Sequence, residues 1–322
     1  MRYHLSVRKQ NFWIGGTLDT ARDKRTMEFV EAEELWTMEH VDKDAYVCYG
    51  CSTQVHPASF DKEKNKRRPY FSPRDKLHQP GCDVDGAEKI VARAKKERVT
   101  TPDGFPLPFP SKLILIDERP VVGGGAAAGG EGTAGREPSK GGAGGPSKRL
   151  HHGHMVKTIR PACRAFVSFP NDRYALPLEI PGLPGKTYAG VFKYVGSKKQ
   201  EPLPMQRRLF YSAIRWKAKA EKSANFFEIT LNAGEWDQAS REFKSLCKVR
   251  VDWSGWSTAR RSSLELEFEV TRDEAIGQTK KDSKVKGWCF FVGTQDAGDP
   301  TVFHVDDRRL ICCLSAEMVW PD

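Results

Sequence analysis

Two cysteine half-sites in the first hundred residues constrain this chain more than any other feature. Tyr46-Val-Cys48-Tyr-Gly-Cys51 places two thiols with two residues between them, and His78-Gln-Pro-Gly-Cys82 follows with an imidazole and a third thiol. A CxxC knuckle aims its sulfurs at one point, and a zinc ion held there needs two further soft or borderline ligands to close a tetrahedron. Cys48, Cys51, His78 and Cys82 make up that set, which is a closed structural Zn2+ site with no open position for catalysis. Gly50 and Gly81 are read as the residues that let the two knuckles turn tightly. His56 is the alternative fourth ligand, placed second by the adjoining Pro57 and by its strand-like setting. A redox CxxC would follow a strand and open a helix, whereas Ser52-Thr-Gln-Val-His56-Pro57 reads as a strand and a break.

Around these half-sites, Phe12, Trp13 and Ile14 precede a hairpin-like break at Gly15-Gly16, and residues 29–36 read as a short helix shielding the metal. The loop between the half-sites carries Lys66, Arg67, Arg68 and Tyr70, cations beside a ring, which suits phosphate contact and base stacking. A solvated loop explains the same residues equally well. Asp85-Gly-Ala-Glu88 has capping-box spacing and predicts a helix to about Val99 with a basic flank. Leu113 to Ile116 reads as a short apolar strand.

The aromatic lead, the CxxC, the strand, the basic loop ending in Arg-Pro-Tyr70-Phe71 and the His…Cys close together resemble the N-terminal zinc-binding module of competence CoiA-like proteins. Related modules occur in bacterial mobile-element and phage-defence proteins. The resemblance covers about residues 10–100 and implies a zinc-stapled module in a recognition subunit. It also raises the possibility of an attached restriction-endonuclease-like nuclease.

Composition then breaks. Gly123 to Gly145 is Gly/Ala-dominated and has no apolar periodicity with which to build a core. The expected organisation is a zinc-binding module with its basic helix over 1–120, a flexible Gly-rich linker over 121–155, and a β-rich domain over 156–322. His151 and His154 at the far end are read as linker chemistry. In the last half, 164–169, 188–195, 226–231, 248–253, 264–270, 288–292 and 310–314 read as strands, and 235–247 as one inserted helix. The predicted fold class is α+β, the C-terminal domain forming a barrel or sandwich comparable to an oligonucleotide-binding barrel.

The most informative of these strands runs from Arg207 to Lys219. Period-two alternation would put Arg207, Tyr211, Arg215, Lys217 and Lys219 on one face, and Phe210, Ile214 and Trp216 toward the core. Glu265, Glu267 and Glu269 alternate in the same way, so pairing of these charges across a sheet is the competing reading. Trp253 and Trp256 could stack bases or cap the core.

A net charge of +10 at pH 7 favours a polyanionic partner. Nucleic acid, DNA or RNA and single-stranded, is the partner expected, and no membrane span is expected. A thiol-rich metal site with no signal-like start suggests the cytoplasm. Catalytic signals are sparse. Glu242-Phe-Lys244 is the one Glu-x-Lys considered, and it falls in the expected helix; Asp117-Glu118 has no partner. P-loop, Gly-x-Ser-x-Gly and His-Glu-x-x-His patterns are missing. The reading is a zinc-containing nucleic-acid-binding protein, with a protein–protein adaptor of a defence complex and a metal-dependent nuclease as alternatives.

Overall fold

The structure is a computed structural model and describes residues 18–65, 67–73, 78–82, 84–115, 151, 153–203, 207–279, 281 and 283–321. Residues 12–16, Lys66, Asp117-Glu118 and the Gly123–Gly145 stretch lie outside these. No helix among the described residues is long and apolar enough to cross a membrane.

The first sheet comprises β1 (Thr20–Asp23), β2 (Phe29–Glu31), β3 (Tyr46–Val47), β4 (Gln54–Ala58) and β5 (Tyr70–Ser72), in the order β2-β1-β3-β4-β5. Only short strands form because each is soon interrupted, and one face closes over a small core of Leu18, Leu35, Cys48, Val55, Phe71 and Cys82 among others. The capping box lies at Glu31 and Glu34, opening a 3-10 turn over Ala32–Thr37. The box expected at Asp85 is not formed. There α1 (Ala87–Ala94) starts from Gly86, whose φ of 90° is a left-handed conformation open to glycine. From Ala87 onward the chain joins a second and larger core. Within it, β6 (Pro110–Leu113) pairs in parallel with β7 (His154–Val156), so His154 belongs to a strand.

Three segments read as strands are helical. Helix α2 (Arg160–Ser168) takes most of 164–169, and α3 (Tyr188–Val191) takes the first part of 188–195, leaving β8 as Phe192–Tyr194. Next come β9 (Arg208–Ala213), β10 (Glu221–Lys222), β11 (Phe226–Thr230), β12 (Trp236–Asp237), β13 (Glu242–Phe243) and β14 (Lys248–Asp252). Helix α4 (Thr258–Thr279) absorbs 264–270, and β15 (Lys286–Gln295), β16 (Val302–Val305) and β17 (Ile311–Ala316) finish the fold.

In α4 the buried positions Leu264, Glu267, Phe268, Thr271 and Ala275 recur at helical spacing. The strict alternation matches a strand; in the helix it is not followed, Glu267 being buried while Leu266 is only half-buried. Extension of the helix on both sides of the alternating stretch, well beyond strand length, decides the outcome. The expected helix at 235–247 is instead the hairpin β12–β13. Asp237 accepts from Ala239 N–H and Ser240 Oγ to close its turn, and Trp236 packs edge-on against Phe243 at 4.9 Å.

The large sheet has the order β10-β11-β14-β16-β15-β9-β8, with β17 also paired to β15. It is open, its path ending at β10 and β8, so the expected barrel does not form. The parallel pairs β14–β16 and β8–β9 need crossovers; α4 lies within the first, and α2 and α4 cover the faces of the sheet. Phe166 of α2 stacks on Phe192 at 4.0 Å and meets Tyr211 and Phe290 edge-on. Helix α4 lies on the opposite face at Gly287, where a Cβ would come within 3.1 Å of Thr271. Strand β17 has β15 along one edge. On the other edge, Cys313 N–H donates to Glu267 at 2.8 Å and its carbonyl accepts from Arg68 at 2.9 Å.

Candidate metal centre and basic surface

Strand β3 delivers Cys48, and the chain turns back into β4 through Cys51. The left-handed residue in this knuckle is Ser52, at φ 58°; Gly50 has no such role, while Gly81 does, at 78°. Ser52 N–H donates to the Cys48 carbonyl at 2.9 Å, and Gly50 N–H reaches the Cys48 sulfur at 3.4 Å. On the other arm Cys82 N–H donates to the Gln79 carbonyl at 3.0 Å, bringing Cys82 back beside His78.

The four ligand atoms lie within 4.8 Å of one another and could hold a metal ion. Cys48 Sγ stands 3.8 Å from Cys82 Sγ, and His78 Nδ1 is 3.4 Å from Cys51 Sγ and 3.6 Å from Cys82 Sγ. A tetrahedron with metal–sulfur bonds of ~2.3 Å and metal–nitrogen bonds of ~2.0–2.1 Å requires edges of about 3.8 Å between sulfurs and about 3.5 Å between sulfur and nitrogen. The preformed spacing therefore fits a tetrahedral ion. Burial pushes the Cys48 thiol up to about 12 and raises Cys82 as well. Burial also acts against Cys51, but hydrogen bonding with Thr53 overcomes it and holds that thiol at about 6. His56 takes no part: it sits on β4 with Nδ1 3.2 Å from the Lys43 carbonyl.

The basic candidates are scattered. Arg67 is exposed and Tyr70 is half-buried on β5. Arg68 is half-buried, bonded to Thr271 and Cys313 and ion-paired with Glu33 and Glu274. Arg207 pairs with Asp306 at 2.5 Å. Tyr211 is 3% exposed and stacks on Phe290 at 5.7 Å. Trp253 is also buried, stacked on Phe227 and donating Nε1–H to the Ser223 carbonyl, and half-buried Trp256 packs against the same core.

The expected alternating face ends early, because β9 stops at Ala213. Arg215, Lys217 and Lys219 therefore fall on the β9–β10 loop rather than beside Tyr211. Trp216, placed toward the core by alternation, is 39% exposed on that loop. Its signal was three flanking cations in five residues, a poor setting for a core tryptophan. Lys217 Nζ lies 5.3 Å from the Trp216 ring centroid, and Arg215 caps Phe243 at 5.6 Å. Arg272 Nε donates to the Trp216 carbonyl at 2.9 Å and ties the loop to α4.

Sequence reading missed a buried ionic cluster joining the first sheet to the large one. Arg160 meets Glu31 at 2.8 Å and Glu267 at 2.5 Å, while Arg164 meets Glu33 at 2.6 Å and Asp19 at 3.0 Å. Burial opposes ionisation of Glu33, but Arg164, Arg160 and Arg68 prevail and hold its carboxyl at about 2. Glu34 behaves oppositely: burial, reinforced by Glu31, raises it to about 7. A carboxyl raised from 4.5 to about 7 on folding carries no penalty below pH 4.5. It loses stability as pH rises from there through 7, by about 3 kcal/mol in all. Glu34→Gln should therefore raise stability by up to ~3 kcal/mol at pH 8 and leave it unchanged at pH 4, as read by urea melts at both. Equal effects at the two pH values would contradict this.

No family model, curated protein or solved structure matches this chain.

Proposed function

We propose that Cys48, Cys51, His78 and Cys82 hold a structural zinc ion, and that the chain binds single-stranded nucleic acid through its β9–β10 loop. The zinc reading is supported by the ligand spacing and by the donor set, three thiols and one imidazole, which suits zinc better than hard cations. A closed set of four leaves the ion no role but holding the module together.

The observation that carries nucleic-acid binding is the setting of Trp216. An indole more than a third exposed, tied at its carbonyl by Arg272, stands among Arg215, Lys217 and Lys219. Exposed aromatic faces stack bases and neighbouring cations take phosphates, a combination tolerant of sequence. The surplus of positive charge adds long-range attraction for a polyanion. A cytoplasmic recognition subunit in phage defence or mobile-element biology would use such a surface.

Trp216→Ala should weaken binding of a single-stranded oligonucleotide by roughly 5- to 150-fold, the equivalent of one lost stack at ~1–3 kcal/mol. Lys217→Ala should reduce the slope of log affinity against log salt by about 0.7. Fluorescence anisotropy at two ionic strengths measures both. Wild-type affinity and slope in the two variants would remove this loop from the interface.

A further inference from the structure

A cavity of about 250 Å³ lies where β1, β2 and the Cys48–Cys51 knuckle approach α1, α2 and β7. It is smaller than the ~300–1,000 Å³ typical of drug-sized sites, so it suits a ring system rather than an extended ligand. Val91, Leu107 and Ala165 form apolar parts of its lining. An aromatic wall faces them: His154 stacks on Phe29 with centroids 4.8 Å apart, and Tyr49, between the two knuckle cysteines, tilts against Phe29 at 5.9 Å. Burial, reinforced by Arg22 and His151, holds His154 at about 4, so its ring is neutral.

The charged part of the lining holds four acids, Asp19, Glu28, Glu31 and Glu34, and two cations, Arg164 and Lys157, the latter paired with Glu28 at 3.0 Å. Asp19 is committed to Arg164 at 3.0 Å and Glu31 to Arg160 at 2.8 Å. Glu34 has no ion-pair partner among the described residues, and the hydrogen bond it accepts from Glu31 N–H is long, at 3.4 Å. Above the value of about 7 to which burial raises it, Glu34 is a carboxylate that can only accept, so at pH 8 a ligand completing it must donate and must carry no negative charge of its own there. Among nucleobases, guanine presents two adjacent donors on one edge, the ring N1–H and the exocyclic amino group. Adenine and cytosine offer an amino group beside a ring acceptor, and uracil a single N–H between two carbonyls.

We infer that this cavity binds a guanine base, its ring against the Phe29–Tyr49–His154 wall and its N1–H and amino group donated to the Glu34 carboxylate. The same chemistry reaches the cavity as free guanosine or as an unpaired guanine within a strand. The site goes beyond the β9–β10 loop and shares no residue with it.

Calorimetry at pH 8 on the full chain with guanosine, inosine, adenosine, cytidine and uridine tests the assignment. Guanosine should bind tightest. Inosine, lacking the amino donor, should bind at least tenfold more weakly, and Glu34→Gln should lose a similar factor for guanosine without a lower melting temperature. Met155→Trp, at a lining position 62% exposed, should block entry without disturbing the core. Equal affinity for guanosine and inosine, or wild-type affinity in Glu34→Gln, overturns the proposal. If the source is a strand, an oligonucleotide with one unpaired guanine should bind more tightly than its inosine counterpart, and Glu34→Gln should abolish the difference. Oligonucleotides binding through Trp216 with no guanine preference, and no nucleoside binding, would overturn the cavity assignment while leaving the loop interface standing.

Discussion

Chelating the zinc proposed at Cys48, Cys51, His78 and Cys82 at neutral pH should melt the first sheet while the large sheet stays folded. The two regions have separate cores, and that of the first sheet is small. Segments of this size bury too little apolar surface to offset chain entropy unaided. A structural zinc supplies on the order of 10–16 kcal/mol in small peptides at pH 7, which is more than such a core can replace. Hydrogen exchange followed by fragment should show protection lost over 18–85 and retained across β9, β15 and β17. Cys48→Ser should give the same pattern without chelator. Simultaneous loss of both regions, or no change in either, would contradict the metal's structural role.

Arg160→Ala is expected to be the most damaging single change outside the proposed metal ligands. Its guanidinium is almost wholly buried and bonds Glu31 on one side and Glu267 on the other. Truncation leaves two carboxylates in dry surroundings, and breaking a buried pair this way costs about 3–5 kcal/mol. The same physics predicts rescue. Replacing Arg160, Glu31 and Glu267 together by apolar residues of matching volume should recover most of the loss, because the desolvation of all three charges is removed at once. Urea denaturation of the single and triple variants checks both parts. A loss below about 1 kcal/mol in Arg160→Ala would mean that water reaches the cluster.

The clustering of Cys48, Cys51, His78 and Cys82 was legible because its chemistry is local: two short spacings aim four donors, whatever the rest of the chain does. Strands β11, β14, β15 and β17 were legible for a similar reason, since their apolar runs are bounded by turn signals. The failures share a cause in tertiary context. Leu264 to Val270 carries a perfect period-two pattern, yet it lies inside a helix whose buried face includes Glu267, a residue that Arg160 and the Cys313 N–H, both remote in sequence, make tolerable there. Residues 235–247 have a helical apolar stripe, but Asp237 closes a turn on Ala239 and Ser240 instead. Arg68 looked like a phosphate ligand because its acceptors, Thr271, Glu274 and Cys313, are remote in sequence. No short-range pattern announces such pairings.

The free side of β17 has a further consequence. Its Cys313 amide and carbonyl are satisfied by side chains, and the Arg68 guanidinium arrives from the half of the molecule that carries the Cys48–Cys51–His78–Cys82 cluster. Undocking the module would take Arg68 away and open the Cys313 carbonyl on that edge, a place where a foreign strand can begin to add. Metal depletion should thus do more than loosen one lobe: it should make the remainder prone to self-association, detectable as growth in light scattering that returns to baseline when zinc is restored before aggregates mature.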